Sequence, residues 1–529
     1  MSALAGTGQL TGLALRRDRI MLAAWVYVLT AWVMGTAYSL KKLYPTAAAQ
    51  QRFAATVEHN SLFVALYDPL FGSSPGALTA WRISSPTALL AGLMSVFIVV
   101  RHTRADEEAS RLELVGAALV GRQAALASAL LVAFGAGLVF AALTTAGLIF
   151  LGLPAEGAAV LGLAIASAGW VFAAVTAIAA QVAETARVAR GIAITVVGAA
   201  YLLRDIGSAT PGASWLMWLS PVGWAVQVRP FDGERLWVVG LALGCTAIAV
   251  AVAYALSARR DLGAGLVPVR PGPGRAAGWL RDPFALAWRL QRGGLVGWIA
   301  GLAAIGAIIG ILAPAVGSLV GTSSGLQNAI TRLGGSSAIT DAFLAAMVEL
   351  FGLVSAAYAV AATLRLRAEE TSQRAEPVLA AAVGRIRWAV SHLLLAVAGT
   401  AVILAAAGLS SGIADAARSG DAGQVPRLLG AAMAQLPAAW LLAGIAIALF
   451  GFMPRLDAAA WAALMVFLLF GQLGPVLRLP QWLMDISPFT HVPKLPGAAF
   501  TLTPLIWLTV VAGLLIAAGL AGLRQRDIG

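Results

Sequence analysis

Residues 104–122 read RADEEASRLELVGAALVGR and residues 367–385 read RAEETSQRAEPVLAAAVGR; at this offset of 263 the two stretches agree at 11 of 19 positions. Both are rich in charge, so the agreement is not the chance likeness of two apolar runs. Three further blocks recur in the same order, at offsets between 263 and 273. LALRRDRIMLAAW (13–25) parallels LAWRLQRGGLVGW (286–298), WLMWLSP (215–221) parallels WLMDISP (482–488), and RDLG (260–263) parallels RDIG (526–529). The chain is therefore an internal duplication, and every other feature has to be read against that period.

What lies between the repeated blocks is apolar. Of 529 residues, 60% are hydrophobic and 11% charged, against roughly 25% charged in soluble domains. Runs able to cross a hydrocarbon core, about 17 to 25 residues each, are expected near 20–40, 83–100, 124–153, 158–183, 188–203 and 236–257, and again near 295–316, 342–364, 388–409, 436–453, 458–474 and 501–523. The expected fold is an all-α polytopic membrane protein of about twelve transmembrane helices. It divides into a first six-helix half (1–263), a cytoplasmic linker (264–282, containing LVPVRPGPGRAAG) and a second six-helix half (283–529). An even number of crossings gives both halves the same orientation, related by a pseudo-twofold along the membrane normal. With the N-terminus inside, the inward segments carry 24 of the 36 cationic residues, which places both termini in the cytoplasm of a multi-pass protein of the bacterial plasma membrane. The net charge of +12 then reads as loop charge that sets topology, not as a nucleic-acid surface. Arg16, Arg17 and Arg19 precede a full-length run, Ile20 to Leu40, and the start reads as an uncleaved signal anchor.

The charged repeats are candidate docking elements. Glu107 and Arg111 stand at i and i+4, as do Glu370 and Arg374, the favourable order for an ion pair on a short helix lying along the membrane. Each segment closes on Gly-Arg, at Gly121-Arg122 and Gly384-Arg385. A solvated juxtamembrane helix is the plainer reading of one copy; two matched copies favour a partner. Ahead of each half, Arg16, Arg19 and Trp25, then Arg289, Arg292 and Trp298, form a basic amphipathic stretch suited to an interfacial elbow or a simple anchor. Trp215, Trp218, Pro221 and Trp224, and likewise Trp482, Pro488 and Phe489, read as short re-entrant or surface helices, or as aromatic-belt anchors. Glu349 is the clearest charge within an apolar run and admits two readings, a cavity-facing group or a residue near the outer interface paired with an arginine. The four histidines lack metal-site spacing, the single Cys245 cannot form an internal disulfide, and no lysine follows a glycine, which excludes a P-loop.

The charged segment, its repeat and the RDLG and RDIG ends resemble type-2 ABC exporter permeases. The fused double six-helix form is similar to permeases identified as exporters of polyketide antibiotics and of multiple drugs. That resemblance implies no cofactor on this chain, with ATP and Mg on two copies of a separate nucleotide-binding subunit. It implies that Glu107, Arg111, Glu113, Gly121 and Arg122, with Glu370, Arg374, Glu376, Gly384 and Arg385, couple to that ATPase. Pro377 stands where the first half has Leu114, a departure that makes the two segments unequal. A path between the halves for a hydrophobic small molecule would be lined by Met94, Phe97, Tyr201, Glu349, Phe351, Tyr358, Phe467 and Phe470, although each aromatic side chain equally suits packing or a lipid-facing position. Two rivals remain at this point: a six-plus-six secondary transporter driven by an ion gradient, which needs ionisable groups at mid-membrane, and a permease or enzyme acting on lipid.

Overall fold

The computed structural model describes the chain except residues 1, 59–67, 110, 112–119, 210–211, 262, 268–273, 276, 319–335, 382, 458, 474–479 and 527–529. Every regular element among the described residues is helical, as lipid demands: only a helix or a closed barrel pairs all its backbone groups where no water is available. Contacts divide the chain into two compact units, 1–272 and 273–529.

The first unit contains α1 (Thr7–Leu43), α2 (Ala47–Glu58), α3 (Pro75–His102), α4 (Arg104–Glu108), α5 (Ala124–Phe150), α6 (Ala155–Val182), α7 (Ala186–Ala209), α8 (Pro221–Gln227) and α9 (Leu236–Ala258). The second contains α10 (Pro283–Ser318), α11 (Ser336–Thr363), α12 (Arg365–Thr371), α13 (Ala375–Ala380), α14 (Arg385–Ser419), α15 (Gln424–Met433), α16 (Leu436–Phe452), α17 (Ala459–Leu468), α18 (Gln481–Met484) and α19 (Leu502–Gln525). Among the described residues eleven helices are long and apolar enough to span, and Ala459–Gly471 is a shorter apolar helix that closes in a π-helical turn at Leu469–Leu473. These match the twelve expected positions.

The first helix of each unit departs from expectation. The basic stretches do not form separate elbows: Arg16, Arg19 and Trp25 lie within one helix of 37 residues, and Arg289, Arg292 and Trp298 within one of 36. Nothing between Thr7 and Leu43 breaks a helix, since the segment lacks proline. At 1.5 Å per residue α1 is roughly 55 Å long, far more than the ~30 Å hydrocarbon core, so its basic turns extend the span beyond the lipid tails.

Short helices stand where the Trp-Pro blocks recur. A 3₁₀ helix at Ser214–Leu219 leads into α8, capped by Ser220, whose hydroxyl accepts the Gly223 N–H at 3.2 Å. In the second unit α18 leads to a 3₁₀ helix at Pro488–His491 after Ser487. A proline directly after a serine cap is the expected helix start, because the first turn's N–H groups have no intrahelical partner. Trp224 donates its indole N–H to the Trp218 carbonyl at 2.7 Å, and the Trp218 ring stacks on Trp237 at 5.4 Å.

Small residues set how closely the spans approach. In the second unit α10 lies against α14 through Gly306 and Gly310. A Cβ at Gly306 would stand 2.5 Å from the Ala407 carbonyl oxygen, and one at Gly310 would run into the backbone of Ser411. Gly301, on the same helix, faces open space. Gly310→Leu is therefore expected to force the two helices apart at a cost of about 1–3 kcal/mol or more, lowering the thermal midpoint of the purified protein followed by fluorescence-detected size exclusion, while Gly301→Leu leaves it unchanged.

Candidate functional site

At the end of α3 the chain makes one sharp step and enters α4. Thr103 turns its hydroxyl back onto the Val99 carbonyl at 2.6 Å, and Arg104 points into the bundle, 1% exposed. Its guanidinium donates to the Ala180 carbonyl at 3.0 and 2.7 Å, in the last turn of α6, where the helix leaves carbonyls without an internal partner and favours a cation. It also reaches the Ala264 carbonyl at 3.2 and 3.1 Å. One turn on, Glu107 meets Arg104 at 2.7 Å, and Arg260 grips both carboxylate oxygens at 2.5 and 3.0 Å. Arg260 is held in turn by the side-chain oxygen of Gln181 at 2.6 Å and by the Ala264 carbonyl at 2.9 Å. Arg122 donates to the carbonyl of Arg260.

The second unit repeats the circuit. Glu370 pairs with Arg367 at 3.3 Å and with Arg526. Arg526 donates to the Phe450 carbonyl at 2.6 Å, lies over the Phe450 ring at 4.9 Å, and offers its own carbonyl to Arg385 at 2.7 Å. Arg104, Glu107 and Arg122 correspond to Arg367, Glu370 and Arg385 at the offset of 263, and Arg260 to Arg526 at 266. Each unit thus clamps the glutamate of its charged segment with the arginine of its RDLG or RDIG block, and ties the Gly-Arg end to the same arginine. The role of these closing arginines was not read from the sequence, although their repetition was the signal that pointed to it.

The clamp corrects the expected ion pairs. Arg111 pairs not with Glu107 but with Asp106, at 3.1 Å, and Asp106 also receives Arg17 at 2.8 Å. Pairing at i and i+4 presupposes an unbroken helix, and α4 ends at Glu108. Likewise α12 ends at Thr371, and Gln373 takes a left-handed φ of 56° before Arg374, so Glu370 turns to Arg367 and Arg526 instead. Where a continuous helix was expected the second unit has two short ones, with Pro377 in the first turn of α13, where its missing N–H is harmless. Glu113 lies outside the described residues. Arg111, Arg374, Glu376 and Arg385 are exposed, as is Arg122.

The two Gly-Arg ends differ. Gly121 donates to the Ala5 carbonyl at 2.8 Å, and Gln123 to that of Ala3 at 3.0 Å, so the segment before α1 straps the end of the first charged stretch. A side chain at Gly121 would collide with the Ala3 backbone, whereas one at Gly384 meets nothing within 4 Å.

Of the residues expected along a path, Met94, Phe351, Tyr358 and Phe467 are buried in the packing of their own units. Tyr358 bonds the Leu395 carbonyl at 3.1 Å. Phe97, Tyr201, Glu349 and Phe470 are half-buried. Trp25 stacks on Phe97 at 6.3 Å, and Trp298 meets Tyr358 edge-on at 6.2 Å, so in each unit the tryptophan of the first helix rests on an aromatic ring of the second span. Glu349 lies beside the π turn that ends α17, its Oε1 3.1 Å from where a Cβ on Gly471 would stand. The basic residues Arg16, Arg19, Arg289 and Arg292 are exposed.

A second buried ionic knot went unread in the sequence. Asp68, 1% exposed, accepts Ser85 at 2.5 Å and Ser208 at 2.7 Å and pairs with Arg204. Arg204 also holds Asp205 and lies over the Tyr201 ring at 5.3 Å. It occupies the end of the bundle opposite the clamp, near the start of α3 and the close of α7. The Arg204-Asp205 pair ending an apolar run was a signal, but the run was expected to stop at 203. Among the described residues no group of three His, Cys, Asp or Glu side chains is placed to hold a metal ion.

The helices and the buried charged clamp of each unit define a multi-pass helical membrane protein, and comparison with known proteins says of what kind. Residues 280–524 match the family model described as the C-terminal domain of multidrug efflux system permease Rv1217c. Over its whole length the chain is 42% identical to the multidrug efflux system permease protein Rv1217c of Mycobacterium tuberculosis, with 100% of this chain and 96% of the relative aligned over 530 residues. The chain belongs to the family of multidrug efflux system permeases.

Truncating one member of a buried ion pair leaves the other charge without compensation, at about 3–5 kcal/mol. Arg260→Ala and Glu107→Ala are each expected to destabilise the purified protein by that order, and the double substitution by clearly less than their sum, read from thermal melts as a double-mutant cycle. Gly121→Ala is expected to lower the midpoint, and Gly384→Ala to leave it in place.

Proposed function

We propose that the chain is the membrane-spanning subunit of an ATP-driven, type-2 ABC exporter that moves hydrophobic small molecules such as antibiotics or drugs out of a bacterial cell. ATP and Mg are bound and consumed on two copies of a separate nucleotide-binding subunit, which dock on the segments around Glu107 and Glu370. The observation that carries this reading is the duplicated clamp: Glu107 with Arg104 and Arg260, Glu370 with Arg367 and Arg526. A segment that only had to stay wet would not need its glutamate locked inside the protein by two arginines. One that must transmit force needs a stiff attachment to the spans, and the clamp ties it to the ends of α6 and α9 in one unit and of α16 and α19 in the other.

In this reading the coupling residues divide into two groups. Glu107, Gly121, Arg122, Glu370 and Arg385 brace the segments, while Arg111, Arg374 and Glu376, with Glu113 by its place in the repeat, meet the partner. The two segments face the cytoplasm, as do both termini, by the excess of positive charge on that side. Nucleotide binding biases the permease between states because the ATPase dimer binds those states with different free energies. Drug export by the relative named above supports the class of cargo.

Arg374→Glu, at an exposed residue that makes no ion pair among the described residues, is expected to weaken copurification of the ATPase subunit expressed with the permease and to cut drug-stimulated ATP hydrolysis at least about tenfold, by ~1.4 kcal/mol or more of lost docking, with no change in the thermal midpoint of the permease alone. Retention of the partner at wild-type levels, or transport that survives inactivation of the ATPase and collapses with the proton gradient, would refute the proposal.

A further inference from the structure

In the first unit α1 and α5 touch near both ends and part in the middle. Thr11 donates to the Ser128 hydroxyl at 3.2 Å, and the Met34 sulfur lies on Gly147. Between these points runs an apolar groove of about 750 Å³, walled by Leu22, Val26, Tyr27, Leu131, Val139 and Leu143. Its floor includes Gly135, where a Cβ would meet nothing within 4 Å. From Thr11 to Met34 the groove follows α1 for roughly 35 Å, close to the thickness of a hydrocarbon core. In the second unit Gly306 and Gly310 bring α10 onto the α14 backbone. At those positions, on the offset of 273, α1 carries Val33 and Ala37.

Two cations stand beside the groove. Arg16 and Arg19 fall on the same helical stripe as Ala23, Val26 and Thr30, between Leu15 and Leu22 of the groove wall, and both are exposed. Their neighbour Arg17 is engaged by Asp106, but neither Arg16 nor Arg19 is in an ion pair among the described residues. An uncharged groove with two exposed cations beside its wall, neither in an ion pair among the described residues, is complementary to an amphiphile with an anionic head.

We propose that this groove is a binding site for an anionic phospholipid of the bilayer, one acyl chain lying between α1 and α5 and the headgroup phosphate held by Arg16 and Arg19. The volume lies within the range of ligand-binding cavities. The site belongs to the first half and is independent of the ATP coupling proposed above.

The test uses the intact permease in nanodiscs of equal parts phosphatidylglycerol and phosphatidylcholine, with either lipid carrying a diazirine in its acyl chain. After irradiation, adducts are mapped by mass spectrometry. Phosphatidylglycerol is expected to label α1 and α5 around Val26 and Gly135 about tenfold more than phosphatidylcholine. Gly135→Leu, which fills the groove, should abolish those adducts. Arg16→Gln with Arg19→Gln should keep the labelling and bring the two lipids to parity, and this variant decides the matter if Gly135→Leu does not fold. Equal labelling by both lipids in the unaltered protein, adducts unchanged in a folded Gly135→Leu variant, or displacement of the lipid by a hydrophobic cationic dye would each overturn the assignment.

Discussion

Lipid is the constraint from which the rest follows. A backbone in hydrocarbon has to satisfy its own hydrogen bonds, so the chain is driven into helices wherever it is apolar, and no hydrophobic force then tells those helices how to pack. Steric fit decides instead. That is why glycine matters at Gly306 and Gly310, where backbone meets backbone.

Charge is used sparingly and at the ends. Charged residues make up 11% of the chain, and some of them gather into a few knots with distinct duties. Around Glu107 and Glu370 each carboxylate is enclosed by two guanidiniums, which themselves satisfy helix-end carbonyls at Ala180 and Phe450. The carboxylate thereby fastens three pieces of chain that are distant in sequence. At the opposite end of the first unit Asp68 and Arg204 fasten the start of α3 to the close of α7. Buried pairs of this kind add little net stability, but removing one partner is costly. They hold geometry, which a force-transmitting element requires.

The duplication is not exact, and its departures are physical. Gly121 is strapped by the segment before α1, and a side chain at Gly384 would meet nothing within 4 Å. Gly306 and Gly310 bring α10 onto α14, at positions where α1 carries Val33 and Ala37. A protein with two like halves thus presents one of them for contacts the other does not make.

The amino-acid sequence by itself determined the class, the twelve helical segments and the positions of the charged repeats, because apolar run length and repeated polar blocks are local properties that survive in a one-dimensional reading. It misplaced the start of the first helix in each half, since amphipathic helix and spanning helix share one periodicity and no breaker separates them. It paired Glu107 with Arg111 and Glu370 with Arg374 because spacing along a helix was the only geometry available to it. Which arginine reaches each glutamate was decided only in three dimensions: Arg260 and Arg526 lie 153 and 156 residues away, and they arrive because the last span of each half ends beside the charged segment. Asp68 and Arg204, 136 residues apart, were hidden for the same reason, and so was the groove. A void between two helices depends on side-chain volumes from both, and neither sequence alone records the distance at which they settle.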